Sequence, residues 1–283
     1  MPLHARADTA ILARRPARPL AAEVQATVYR SNEEQCRRMS TQPDTFELAK
    51  RFKYLRLSDV SDALDALGLQ DIFLLSPEVR PLWPGMKFWG VALTVRVVPA
   101  RRHMPPLSKE DALRSHGIWF QQHGRPEFNN LIQPGHVIVM EAHECRETGI
   151  WGSANSLGAV ARGAVGIVTD GYARDTYELT LQKTPICCRR RGRTIIPGRV
   201  EFVDQQVPIN CGGVQVRPGD IVGCDDDGVI VVPQEAAAEA LPIAAAILLD
   251  DMRARRRLYE RLHMPPDHTI AVEEAEEFYR EVL

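Results

Sequence analysis

The residues best suited to chemistry lie in positions 152–178, the run GSANSLGAVARGAVGIVTDGYARDTYE. Gly152, Ser153, Ala154 and Asn155 stand where a strand ends and a helix begins. The first turn of a helix leaves backbone N–H groups unpaired, and the helix dipole favours negative charge there. Small residues let a ligand approach that backbone closely. The local expectation is a cradle for a carboxylate or phosphate, although an ordinary helix start reads the same way. Arg174 and Asp175 follow a short β run (165–168) and an Asp170-Gly171 turn. An arginine can clamp a carboxylate through two parallel hydrogen bonds, and an adjacent aspartate can hold a divalent cation through oxygen. The structural alternative is a helix start, with Asp175 as cap and Arg174 in a surface ion pair. Glu178 would complete either a capping box or the outer shell of a metal.

The rest of the chain must position these groups. It has 283 residues, 45% hydrophobic and 25% charged, with a formal net charge of -2. A chain of this size buries about 75% of its unfolded surface and needs no disulfides. The charge balance gives no case for nucleic acid or an anionic membrane as partner. No apolar run approaches the roughly 18 residues of a transmembrane helix, so a cytoplasmic protein is expected. Cys36, Cys145, Cys187, Cys188, Cys211 and Cys224 make no C-x-x-C pair and no zinc spacing. They read as reduced thiols used as small hydrophobes. Residues 1–43 are rich in Arg and Ala with no sustained apolar period, and read as a disordered tail in which Met39 is an alternative start. Residues 44–283 read as one domain.

Within that domain, Asp44 or Thr45 caps a first helix carrying Phe46, Phe52 and Leu55. Ser58-Asp59 caps a second, 60–67, stopped by Gly68. Asp59, Asp62 and Asp65 read as its solvated face. Residues 88–98 and 136–141 read as buried strands. Residues 100–131 form a long irregular excursion, of a length that is usually functional or mobile. A β unit at 184–188 leads into a basic turn with Arg189, Arg190, Arg191 and Arg193. Asp225, Asp226 and Asp227 read as a hairpin turn rather than a metal site. From Gln234 the chain is helical and Ala-rich, interrupted at Pro242, and ends in an acidic helix, 272–283. Alternating helices and strands, with a late cluster of short strands, argue for an α/β domain whose sheet is partly antiparallel.

Residues 152–175, with Pro218-Gly219-Asp220-Ile221-Val222 and the run DDDGVIVVP at 225–233, resemble the RraA-like superfamily. The resemblance extends over residues 44–260. That superfamily includes class II 4-hydroxy-4-methyl-2-oxoglutarate aldolases, 4-carboxy-4-hydroxy-2-oxoadipate aldolases and regulators of ribonuclease E activity. It implies a layered β/β/α sandwich of the swivelling phosphohistidine-domain-like type, here with a helical C-terminal extension. It implies that Arg174 binds the substrate carboxylate and Asp175 holds Mg2+ or Mn2+. The amides of Gly152, Ser153, Ala154 and Asn155 would bind the pyruvate end, and the protein would be a homotrimer or hexamer.

The aldolases carry an acid well upstream of an Arg-Asp pair and a further acid just downstream. Arg174, Asp175 and Glu178 fit the later part. Ser153 stands where the first acid belongs, which in the family helps place a metal-bound water for proton transfer. The expected activity is metal-dependent cleavage of a 4-hydroxy-2-oxo acid to pyruvate, with oxaloacetate decarboxylation as a side reaction. The alternatives are a non-catalytic regulator that binds protein partners, and another lyase or hydratase acting on a 2-oxo or sugar-derived acid. A Schiff-base mechanism has no lysine to use, because Lys50, Lys53, Lys87, Lys109 and Lys183 all fall outside or beyond 152–178.

Overall fold

The strand Phe88–Pro99 (β2), FWGVALTVRVVP, is apolar almost throughout, as a strand covered on both faces must be. In the computed structural model, which describes residues 44–283, β2 is central to a mixed nine-stranded sheet. On one side follow His136–Glu141 (β3), Gly166–Ala173 (β5) and Ile186–Arg191 (β6), all parallel. On the other follow Ile221–Asp225 (β10) and Gly228–Val232 (β11), antiparallel. Ile209–Cys211 (β8) and Val214–Val216 (β9) form a separate antiparallel pair, and two strands of the large sheet lie off this path. Gly149–Trp151 (β4) pairs with β5 in parallel, and Val200–Gln205 (β7) runs antiparallel to the far half of β2. The short strand Arg80–Pro81 (β1) edges β6. The chain just before β1 reaches back to the opposite edge. Leu75 N donates to Val229 O at 3.1 Å and Val231 N to Phe73 O at 2.9 Å, so the sheet nearly closes into a barrel.

Alternation along the strands divides the core in two. Val222, Val229 and Val231 face the barrel interior with Ala92, Val137, Val139 and Val168. Their neighbours Ile221, Ile230 and Val232 face outward, onto the helices Thr45–Lys50 (α1), Leu57–Ala66 (α2) and Gln234–Leu262. That last helix lays Ala237, Ala240, Ala244, Leu248 and Met252 on the sheet side. The small alanines let it pack closely. Residues 44–283 form one compact unit. Among them, no helix is long and apolar enough to cross a membrane. The tail reading, Cys36 and the alternative start at Met39 lie outside the described residues.

Several local expectations are corrected. Pro242 does not interrupt the C-terminal helix, which runs unbroken from Gln234 to Leu262. A proline inside a helix costs about 3 kcal/mol. Here Leu241, Ala244 and Ala245 are buried around it, and their packing outweighs that local cost. The second helix begins at Leu57, earlier than its apparent cap. Asp59 therefore sits one turn in, fully buried, where it accepts from Arg56 N at 2.8 Å and holds the Arg56 guanidinium. Only Asp62 and Asp65 of the carboxylate stripe are solvated. Arg189, Arg190 and Arg191 complete β6 rather than forming a turn, and Arg189 Nε donates to Glu78 at 2.5 Å. Asp170 and Gly171 also lie inside a strand, β5. The hairpin reading of the triple aspartate holds. Asp225 pairs with Gly228 across the turn, and Asp227 N donates to Asp225 Oδ1 at 2.9 Å. All five described cysteines are buried. Burial pushes the Cys145 thiol up to about 12, which suits packing rather than reactivity.

The last helix, Val272–Tyr279, is tied back by Arg256, whose guanidinium makes two 2.6 Å bonds to the Glu273 carboxylate. Those bonds hold the Glu273 carboxyl at about 2, against an ordinary 4.5. A depressed carboxyl stabilises the fold above its unfolded pKa, and that contribution fades as pH falls toward the folded one. The pair is solvent-exposed, so the effect is small. Glu273→Gln should therefore lower the melting temperature slightly at about pH 7, and the deficit should shrink between 4.5 and about 2. Thermal melts at a series of pH values check this, and a deficit that did not change with pH would contradict it.

Candidate active site

Strands β4 and β5 are parallel neighbours, with Gly149 opposite Tyr172 and Trp151 opposite Ala173. Their C-terminal ends therefore lie side by side. Arg174 N donates to Trp151 O at 2.8 Å, which carries the pairing one residue further. Beyond Trp151, Gly152 is the N-cap of the helix Ser153–Ala161 (α3). Beyond Ala173 come Arg174 and Asp175. In open α/β sheets the crevice beyond the strand ends is where ligands bind.

Two glycines make the juxtaposition possible. A Cβ on Gly149 would stand 2.6 Å from Arg174 Cβ. One on Gly152 would stand 2.6 Å from Asp175 Oδ2 and 3.1 Å from Arg174 Nε. The side chains of Arg174 and Asp175 thus lie directly across this backbone, and no larger residue fits beneath them.

Asp175 is left-handed, with φ 54° and ψ 40°, a conformation that aspartate tolerates better than most residues. It precedes the short helix Thr176–Leu181 but does not cap it with its side chain. Asp175 Oδ2 instead accepts from Ser153 N at 3.1 Å and from Ser153 Oγ at 3.3 Å, so it caps the neighbouring helix α3. Its other oxygen is 3.7 Å from Arg174 Nε. The capping box with Glu178 does not form. Glu178 lies a turn along the exposed side of its helix, its side chain makes no hydrogen bond or ion pair among the described residues, and it is not on the cavity wall. Ser153 takes on a clear role. A carboxylate at position 153 would repel Asp175, whereas the serine hydroxyl donates to it.

These groups open onto a cavity of about 540 Å³. Gly152, Ala154, Asn155, Arg174 and Asp175 form one side of it. The other side comes largely from the excursion, which folds into two short helices, Lys109–Leu113 and Ser115–His123, and a 3-10 turn, Phe128–Asn130. The excursion is pinned to the sheet by aromatic side chains. Trp119 is 1% exposed and donates Nε1–H to Val200 O at 3.3 Å. Phe128 stacks on Phe202 of β7 at 5.9 Å and meets Trp151 of β4 edge-on at 6.1 Å. This packing brings His116, Phe120 and Phe128 to the cavity. Burial, with the Arg174 charge adding to it, pushes the His116 ring below its usual 6.5, so it is neutral at pH 7. Sequence reading missed both His116 and Arg162, the latter at the far end of α3 on the same wall. A lone histidine in an irregular segment has no spacing partner to betray it.

The family model Aldolase/RraA, described as RraA-like, matches residues 57–231. The chain belongs to the RraA-like family. Its α/β fold with C-terminal helices is the RraA-like fold. One relative is the protein DlpA of Legionella pneumophila, 27% identical over 198 residues, covering 70% of this chain and 29% of DlpA. The chain thus spans less than a third of that relative's length. A Halalkalibacterium halodurans protein named "Putative 4-hydroxy-4-methyl-2-oxoglutarate aldolase" is 30% identical over 213 residues, covering 75% of this chain and 89% of that one. Among solved RraA-like structures, Streptomyces coelicolor RraAS2 is described as an unusual member of the RNase ES inhibitor RraA protein family. It superposes with a TM-score of 0.57 at 27% identity, covering 79% of this chain and 98% of its own.

Proposed function

We propose that this RraA-like protein is a divalent-metal-dependent carbon–carbon lyase that cleaves a 4-hydroxy-2-oxo acid to pyruvate and a second carbonyl compound. The observation that carries this reading is the meeting of Arg174, Asp175 and the first turn of α3 on one cavity wall. Arg174 would clamp the substrate carboxylate. The N–H groups of Ala154 and Asn155, in the unpaired first turn, would meet the same end of the substrate. Together they hold the reacting bond in one orientation, which by itself lowers the barrier.

The donor set suits Mg2+ or Mn2+. Among the described residues, no group of three or more His, Cys, Asp or Glu could hold a metal ion. Asp175 is the one carboxylate on the cavity wall, and Mg2+ is commonly held by one or two carboxylates, with water and substrate oxygens completing its shell. Asp175 would hold the ion, which when bound supplies Lewis-acid stabilisation of the enolate. A homo-oligomer belongs to the same reading. Tyr177 and Leu181, 76% and 72% exposed, stand on the helix directly after Asp175.

The test is pyruvate release from 4-hydroxy-4-methyl-2-oxoglutarate and from oxaloacetate, with Mg2+ and with EDTA. Pyruvate is expected from both with Mg2+ and from neither with EDTA. Ser153 at the acid position and the similarity to RraAS2 favour a second reading, a regulator that binds a protein partner. Failure to turn over either substrate, with no Mg2+ or Mn2+ bound at equilibrium, would favour that reading.

A further inference from the structure

We infer that His116 is the base of this site, the group that takes the proton of the substrate's 4-hydroxyl as the C3–C4 bond breaks. This rests on the lyase reading and names the group that reading leaves open. The first support is position. His116 lines the same cavity as Gly152, Arg174 and Asp175, although it comes from the excursion and not from the strand ends. The second is elimination by chemistry. The charged or titratable side chains on the cavity wall are His116, Arg162, Arg174 and Asp175. Neither arginine gives up a proton near neutrality. In the lyase reading Asp175 is the residue that holds the ion, and its Oδ2 already accepts from Ser153 N and Oγ. Ser153 itself spends its hydroxyl on Asp175. His116 is left as the one group on the wall able to exchange a proton in the ordinary pH range.

The third support is that the ring is held but unengaged. It makes no hydrogen bond among the described residues, so its nitrogens are available to a ligand. The helix Ser115–His123 that carries it is anchored by buried Trp119, and the Phe120 ring lies 6.3 Å from the imidazole. A base must be held this way to meet its proton in a fixed geometry. The neutral state imposed by burial and by Arg174 is the state that accepts a proton.

The step balances without a further reactant. An imidazole nitrogen of His116 takes the hydroxyl proton, and the O–H pair becomes the second bond of the new C4 carbonyl. The C3–C4 pair passes into the enolate. The imidazolium then returns its proton to C3, giving pyruvate and a neutral ring. Oxaloacetate has no 4-hydroxyl proton to remove, so its decarboxylation does not need the first transfer.

His116→Gln should therefore lower kcat for cleavage of the 4-hydroxy-2-oxo acid by about 10²–10⁴-fold, the usual span for a general base. KM should change little, and oxaloacetate decarboxylation should stay within about tenfold, well short of the loss expected when the general base is removed. Equal loss of both activities would point to a structural role and overturn the inference. Wild-type cleavage retained in His116→Gln would overturn this inference alone. No cleavage by the wild type would overturn the lyase reading and this one with it. A second readout is independent of turnover. Ring NMR signals assigned through His116→Gln should shift when oxalate, a mimic of the pyruvate enolate, is added with Mg2+. Signals unmoved at saturating oxalate would overturn the inference.

Discussion

Asp175→Ala is expected to lower Mg2+-dependent pyruvate release by on the order of 10²–10³-fold, the scale of removing one preorganised charge-stabilising group. Two functions are lost together. One is the carboxylate placed to hold the ion. The other is the cap on α3, since Asp175 Oδ2 accepts from Ser153 N and Oγ. Losing a helix cap costs about 1 kcal/mol, so a small fall in stability should accompany the large fall in rate. Asp175→Asn separates the two. An asparagine oxygen can still accept from Ser153, but it lacks the charge. Its melting temperature should stay close to that of the wild type, while its pyruvate release falls as far as in Asp175→Ala. Steady-state rates with added Mg2+, measured beside thermal melts of both variants, check the split. Full activity in Asp175→Asn would remove the metal-holding role and leave only the cap.

Trp119→Ala is expected to cost about 3–5 kcal/mol of stability, the range for truncating a buried aromatic side chain. Trp119 is 1% exposed and belongs to the interior cluster rather than to a surface flap. It donates to Val200 O and its ring lies 3.9 Å from that of His123. The truncation leaves a cavity behind the helix Ser115–His123 and an acceptor without its partner. The wall that carries His116 and Phe120 should loosen at the same time, so KM for the substrate should rise. Urea unfolding followed by fluorescence and circular dichroism checks the stability. An unchanged urea midpoint would mean that the excursion packs on the barrel without adding to its stability.

Signals confined to a few neighbouring residues carried much of the fold. The continuous apolar runs at Phe88–Pro99 and His136–Glu141 leave a buried strand as the natural reading, and both are strands in the structure. The turn at Asp226-Asp227 is equally local. Local rules failed where distant packing opposed them. Pro242 reads as a breaker until the buried alanines on both sides of it are seen. Asp59 reads as a solvated acid until the helix is found to begin at Leu57, which turns it inward onto Arg56. Arg189, Arg190 and Arg191 read as a turn because charge suggests solvent, but β5 pairs with β6 there, Tyr172 opposite Arg190 and Ala173 opposite Arg191, and Glu78 balances the charge.

The same division runs through the candidate site. The sequence by itself determined that Gly152, Ser153, Arg174 and Asp175 would bracket one helix–strand unit, because glycine spacing and a helix start are local features. Only the tertiary structure decided what Asp175 binds. Its left-handed backbone sends the carboxylate to Ser153 rather than to its own helix, and leaves Glu178 in solvent. Only the tertiary structure brought His116 to the cavity as well. Its place depends on Trp119 and Phe128 docking onto β4 and β7, contacts set by sheet order and register that no run of adjacent residues encodes.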